Sequence, residues 1–166
     1  MRFGLSRLAI PWAVGVLCAL AVLVASSGCM LAIDAELETY AGVNAIRTNA
    51  GLPPLEADTA LRDIARFHSQ DMAARHQLGH EFANGCTVIC VMDALDVPHA
   101  WAGENINVNN WDWSQTAERT VLKWQSDSGH LANMLNCHYT RFGAGVTASP
   151  EGGIYYSMVF EGNADC

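Results

Sequence analysis

Arg141-Phe-Gly-Ala-Gly-Val-Thr-Ala-Ser-Pro-Glu-Gly-Gly-Ile-Tyr-Tyr-Ser-Met-Val-Phe160 is the stretch on which the fold turns. Two alternating apolar runs flank a turn. Phe142, Ala144 and Val146 share one face of the first, and Ile154, Tyr156, Met158 and Phe160 share one face of the second. A period of two predicts strands over 141–147 and 154–160. Ser149-Pro-Glu-Gly-Gly153 supplies the turn between them.

Upstream of this hairpin the period becomes helical. Asp34 is a plausible N-cap for a helix to Asn49, with Gly51 as its stop. Leu52-Pro-Pro-Leu55 forbids helix and makes an extended link. Asp58 caps a second helix through about Gln77, whose inward face is Leu61, Ile64, Ala65, His68 and Met72. A loop rich in turn residues runs from Leu78 to about His99 and holds two cysteines. Glu104 sits in a short extended piece, and 107–110 reads as a turn. A third helix starts at Ser114 and carries Ala117, Val121 and Trp124 inward, and a short one covers 130–136. The fold class is α+β: helices flanking a small, mostly antiparallel sheet.

The 166 residues suffice for one domain with a core. The N-terminus lies outside that core. Arg2 and Arg7 precede an apolar run from about Leu8 to Ala25 that ends in Ser26-Ser-Gly-Cys29. This is a signal peptide over 1–28. Small residues before Cys29 resemble a bacterial lipobox, with Cys29 as the lipidation site. Simple secretion and a retained anchor are the alternatives. Residues 29–33 form a short tether and 34–166 the domain. Export places that domain outside the cytoplasm, in the envelope, on the surface or secreted.

An exported domain meets an oxidising compartment. Cys86, Cys90, Cys137 and Cys166 remain to pair, and four cysteines allow three pairings. Neighbours are the favoured partners, Cys86 with Cys90 and Cys137 with Cys166; a zinc site at Cys86-x-x-x-Cys90 is the alternative. The net charge is −8. With no Lys/Arg cluster downstream, nucleic acid is excluded as a partner and anionic membrane surfaces are disfavoured. Any membrane attachment comes through the N-terminal lipid or signal.

Glu104 in Gly103-Glu-Asn-Ile106, His130 in Ser128-Gly-His130 and His80 in Leu78-Gly-His80 lie in separate segments beside glycines. Two imidazoles and a carboxylate are what a shared metal or acid/base site requires. His68, on an apolar helix face, reads as a core histidine with a hydrogen-bond partner. His76, His99 and His138 read as surface residues, Trp124 as core, and Trp111 and Trp113 as the rim of a groove.

Six segments occur in order: Asn44-x-x-Arg47 with Gly51-Leu-Pro-Pro-Leu55, His68-Ser-x-Asp-Met-Ala73, Gly103-Glu-Asn-Ile106, Trp124-x-Ser-x-Ser-Gly-His-x-x-Asn-Met-Leu135, Phe142-Gly-x-Gly-Val146 and Tyr155-Tyr-x-x-Val-Phe160. Together they resemble a CAP (SCP/TAPS) domain of the bacterial secreted type over about 33–162. The resemblance implies an α-β-α sandwich with a groove lined by two histidines and one or two acids, which in some members binds zinc or another divalent ion. Carried over, the histidines are His80 and His130, the acid is Glu104, and Asp127 holds the place of a second acid. Catalytic and metal-binding roles fall on His80, Glu104 and His130 alike.

Two functions follow from that reading. One is an extracytoplasmic binding or interaction module for a lipid, sterol or surface protein, with zinc or another divalent ion as candidate cofactor. The alternative is a metal-dependent hydrolase or peptidase, whose metal-bound water would become a nucleophile near neutral pH. The chain lacks a His-Glu-x-x-His helix and, with Glu104 as a ligand, a separate general base. The sequence alone leaves open whether the protein is an enzyme.

Overall fold

The computed structural model describes residues 12–166, with side chains from Gly28 onward. Of the stretch read as a signal, residues 1–11 fall outside the described residues, and 12–27 are described as helical backbone alone. The chain divides after Leu31, and the architecture here is that of Ala32–Cys166.

The predicted hairpin is the centre of the sheet. β3 (Arg141–Ala148) pairs antiparallel with β4 (Ile154–Gly162), in register from Arg141 opposite Glu161 to Ala148 opposite Ile154. β2 (Trp101–Asn109) lies antiparallel along the other side of β4, with Glu104 opposite Val159. A two-residue strand, β1 (Glu56–Ala57), joins β3 in parallel, giving the order β1-β3-β4-β2. β1 continues the extended link that the prolines impose, and Asp58 N–H donates to the Phe142 carbonyl at 2.9 Å before capping the next helix. The reading of 107–110 as a turn is corrected: 107–109 belong to β2, whose register with β4 runs on to Asn109 opposite Ile154.

One layer of helices packs on large side chains. It comprises the part of α1 (Trp12–Asn49) from Ala32 onward, with α4 (Trp113–Ser126) and α5 (Ser128–Met134). Ala35 and Val43 from α1, Ala117, Val121 and Trp124 from α4, and Met134 from α5 close over Phe142, Tyr156, Met158 and Phe160. Each large apolar side chain fully buried here contributes about 1.5–3 kcal/mol. Arg47 is buried among them and donates to the carbonyls of Pro53, Met134, Asn136 and Tyr139, which ties the end of α1 to the segment before β3.

The opposite layer is seated differently. α2 (Thr59–Arg75) is capped by Asp58, which accepts from Ala60 and Leu61 N–H, as the sequence predicts. A Cβ added at Gly143 would run into the backbone of Leu61 and Arg62, and one at Gly145 into that of Ala65 and Arg66. The Phe142-Gly-x-Gly-Val146 pattern thus exists so that the α2 backbone can lie flush on β3. The predicted inward face of α2 is buried throughout.

Two further expectations are corrected. No N-cap forms at Asp34: α1 runs unbroken through it, and 29–33 are helical, with no proline from Trp12 to Asn49 to break the helix. The 78–99 segment is not structureless. It contains α3 (Val88–Ala94), capped by Thr87, and buries Phe82, Val88 and Met92 against α2. The favoured disulfides are present, Cys86–Cys90 with Cα atoms 5.6 Å apart and Cys137–Cys166 at 5.7 Å. Cys29 is free and exposed.

Candidate functional site

Glu104 points from β2 toward α2 and is 7 % exposed. A carboxylate taken out of water needs partners, and this one has three. Ser157 Oγ donates to Oε1 at 2.6 Å, His68 Nδ1 meets Oε1 at 2.5 Å, and His80 Nδ1 meets Oε2 at 2.9 Å. An ionised carboxylate only accepts, so both imidazoles carry their proton on Nδ1 toward it. Burial pushes the Glu104 carboxyl up, but the hydrogen bonds from His68, His80 and Ser157 outweigh burial and hold it below the ordinary value. The hydrogen bond to Glu104 in turn holds His80 above the ordinary histidine value, against its partial desolvation.

Each element delivers its residue for a local reason. The glycine seat lets α2 lie close enough for His68, fully buried, to reach the strand beyond β4. α2 ends where His76 adopts φ 52°, a left-handed cap that turns the chain outward. The segment that follows is braced by Arg75 Nη2 donating to the Glu81 carbonyl at 2.7 Å and by the Glu81–Thr87 bridge. His80, half exposed, stands on this brace at a cleft of about 510 Å³ that it shares with Arg75, Gln77 and Phe82.

His130 arrives from the other layer. Asp127 caps α5 through Gly129 and His130 N–H, both at 3.0 Å. Asn133 Nδ2 donates to the Glu104 carbonyl at 3.2 Å, and Asn105 Nδ2 to the His130 carbonyl at 3.0 Å, so α5 is fastened to β2 beside the acid. His130 Nδ1 lies 3.2 Å from Asp127 Oδ1, but the angles make no hydrogen bond, and this nitrogen is buried without a partner. Burial holds His130 below the ordinary histidine value; Asp127 opposes this, while His80 and Lys123 add to it.

The structure therefore joins His80 to Glu104 directly, sets His130 within electrostatic reach of His80, and places Asp127 at a helix cap beside His130. Sequence reasoning missed two members. His68 is the core histidine it was read to be, but its partner is the site's own acid. Its signal was an imidazole on an otherwise apolar stripe. Ser157 sits where Tyr155-Tyr-Ser-Met-Val-Phe160 should be wholly apolar, and that exception was its signal. His99, its side chain 16 % exposed, and His138 are partly buried rather than surface residues, and His138 is stacked on Trp101 at 4.0 Å.

The donors available to a metal can be counted. Both Glu104 oxygens are already engaged, whereas His80 Nε2, His68 Nε2 and His130 Nδ1 have no hydrogen-bond partner among the described residues, the last two being buried. Glu104 orients the His80 ring from behind, and unpartnered imidazole nitrogens are the donor type a divalent ion takes. The ligand atoms of His80, Glu104 and His130 do not all lie within 4.8 Å of one another, so an ion held by all three would need these side chains to move. Elsewhere Cys137, His138 and Cys166 offer ligand atoms within 4.8 Å of one another. The two sulfurs are joined as a disulfide and are not thiolate ligands.

Over residues 40–160 the sequence matches the CAP family, described as the cysteine-rich secretory protein family. YkwD, an uncharacterized protein of Bacillus subtilis (strain 168), is 33 % identical over 106 residues, covering 64 % of this chain and 40 % of that protein. The crystal structure of an extracellular protein containing a SCP domain from Bacillus anthracis str. Ames superposes with a TM-score of 0.69 at 26 % identity, over 80 % of this chain and 41 % of that one. An outer surface protein from Borrelia burgdorferi shares the fold with a TM-score of 0.66 at 15 % identity, over 75 % of this chain and 90 % of that one. The chain thus spans about two fifths of the length of both Bacillus proteins.

Proposed function

This chain belongs to the CAP, or cysteine-rich secretory protein, family, and on that premise we propose that it is an extracytoplasmic binding and interaction module, anchored through Cys29, whose groove takes a divalent ion on His80 and His130. The extracellular setting of the Bacillus anthracis relative and the two disulfides support the location. The single observation that carries the rest is the state of Glu104. Both its oxygens accept hydrogen bonds and its affinity for a proton is lowered, which makes it an orienting group and a poor general base. A bound ion would supply Lewis acidity and an ordered groove; the partner met there is a lipid, a sterol or a surface protein.

Hydrolysis by the same site remains the second reading. It is favoured by one feature, a His130 held below the ordinary histidine value by burial, whose Nδ1 has no hydrogen-bond partner.

Zinc calorimetry on the chain from Met30 onward, beside a His80→Ala/His130→Ala variant, tests the groove. Micromolar or tighter binding lost in the variant is expected; undiminished binding in the variant would move the ion elsewhere. Cys29→Ser is expected to release the full chain from the membrane fraction, and unchanged retention would argue against acylation.

A further inference from the structure

A second groove lies beyond β2, on the side of the sheet away from His68. Its walls are the last rungs of β2 with Trp111, and one stripe of α4: Arg119, Leu122, Lys123 and Ser126. The cleft is about 450 Å³. These α4 residues follow the i, i+3, i+4, i+7 spacing, so they share one exposed face.

Three observations on this groove converge. The first is charge. Among the described residues, Arg62, Arg66, Arg75 and Arg141 are each paired with a carboxylate, and Arg47 is spent on backbone carbonyls. Arg119 and Lys123 are exposed and have no carboxylate within 4.0 Å. In a chain of net charge −8, two cations outside any close ion pair, one helical turn apart, line one cleft; Asp127 acts on Lys123 only at longer range.

The second is an open strand edge. β2 is an edge strand. The carbonyls of Glu104 and Ile106 face outward, since Asn133 Nδ2 takes the first and Trp124 Nε1 the second at 3.0 Å. By the alternation of an antiparallel ladder, the N–H and C=O of Val108 face the same way. They have no partner among the described residues, and Val108 lines the groove. The edge is closed by side chains at Glu104 and Ile106 and open at Val108.

The third is a stacking surface. Trp111 is 47 % exposed at the end of the cleft, with the Arg119 guanidinium 4.6 Å from its ring centre.

We propose that this groove binds an extended acidic peptide that adds to the edge of β2 at Val108. Main-chain pairing supplies the register, and alternate side chains of the added strand face α4. Residues i and i+4 on a helix are about 6 Å apart along its axis, and residues i and i+2 on a strand about 6.7 Å. An acid-x-acid peptide therefore presents its two carboxylates at the spacing of Arg119 and Lys123. Its flanking residue lies against Trp111.

The probe is a fluorescein-labelled, end-blocked Thr-Glu-Val-Glu-Thr peptide, titrated by anisotropy with the full chain in non-ionic detergent at low salt. Saturable binding is expected, weakened roughly tenfold or more by Arg119→Ser/Lys123→Ser with the circular dichroism unchanged. Equal binding of the Thr-Gln-Val-Gln-Thr peptide, retention in the charge variant, or no binding at all overturns the proposal. Strand addition has its own readout. Val108→Pro removes the outward N–H at a position an edge strand tolerates, and N-methylation of the central peptide valine removes the matching donor without touching the protein. Loss of binding with either is expected. Binding indifferent to N-methylation, or equal competition by polygalacturonate, would show a mere anion site and overturn strand addition.

Discussion

Two buried carboxylates in this domain are held in opposite ways. Glu36, on α1, meets Arg66 in a bidentate pair at 2.8 and 2.6 Å. Glu104, on β2, meets two histidines and a serine. Both are almost fully buried. A guanidinium stays charged at any pH the fold survives, so the first pair is fixed. An imidazole titrates near neutrality, so the charge of the second cluster is adjustable. The fixed pair clamps α1 to α2; the adjustable one sits at the groove. A carboxylate whose only task is structural does not need histidines.

Breaking the fixed pair carries the largest expected effect. Arg66→Met leaves Glu36 buried and unpaired. Removing one partner of a fully buried pair costs about 3–5 kcal/mol. Arg66 is 34 % exposed, so water compensates in part, and about 2–4 kcal/mol is expected in urea unfolding. The loss is read as the difference between wild type and variant in urea unfolding at pH 7. A loss within about 0.5 kcal/mol, the size of an ordinary surface substitution, would mean that this pair does not clamp α1 to α2 and would remove the contrast.

Glu104→Gln tests the adjustable cluster. His80 is held above its ordinary 6.5, so the native state binds that proton more tightly than the unfolded chain. Its stabilisation is complete below pH 6.5 and is lost as pH rises through the raised value. Glu104 is held below its ordinary 4.5, so its contribution is present above pH 4.5 and is lost as pH falls through the lowered value. Stability from this cluster therefore peaks between the two. Glutamine keeps the shape and removes the charge. The expectation is a loss of about 1–2 kcal/mol near pH 6, discounted for the half-exposed His80, and a flattened slope above pH 6.5. An unchanged slope would mean that His80 does not draw its proton affinity from Glu104.

The contrast was only half legible in the sequence. The helix faces, the central hairpin and both disulfides could be read from spacing, because period and turn chemistry are local. Glu104 and its histidines were recognisable as types. That His68 belongs with them was not, because its reach depends on α2 lying flush against Gly143 and Gly145, a contact between segments far apart in sequence. The glycines were visible as a motif, but their purpose needed the helix in place. β1 escaped for a similar reason: two residues show no period, and only the carbonyls of Thr140 and Phe142 make them a strand. The 78–99 segment looked loop-like because α3 has only seven residues, too few for its period to stand out beside the flanking turns.

A third carboxylate, on the surface, sharpens the comparison with the smallest effect. Asp127 stands beside His130 as Glu104 stands beside His80, yet it is exposed and its strongest bonds go to backbone N–H groups. Hydrogen bonds from the His130 and Gly129 amides hold its carboxyl below the ordinary range against slight desolvation. Asparagine caps a helix as well as aspartate does, so Asp127→Asn should leave α5 and the melting temperature unchanged. The charge, however, is gone. His130 is already held below the ordinary histidine value by burial, and Asp127 is the one group raising it. Its titration should therefore move further down, read from the imidazole carbon-bound proton shifts in NMR. A neutral imidazole is the form that can take a metal ion, so at a given acidic pH more of His130 is in that form in the variant. A His130 titration that stays put would mean that Asp127 acts on α5 alone, and that of Glu36, Glu104 and Asp127 only Glu104 governs a histidine.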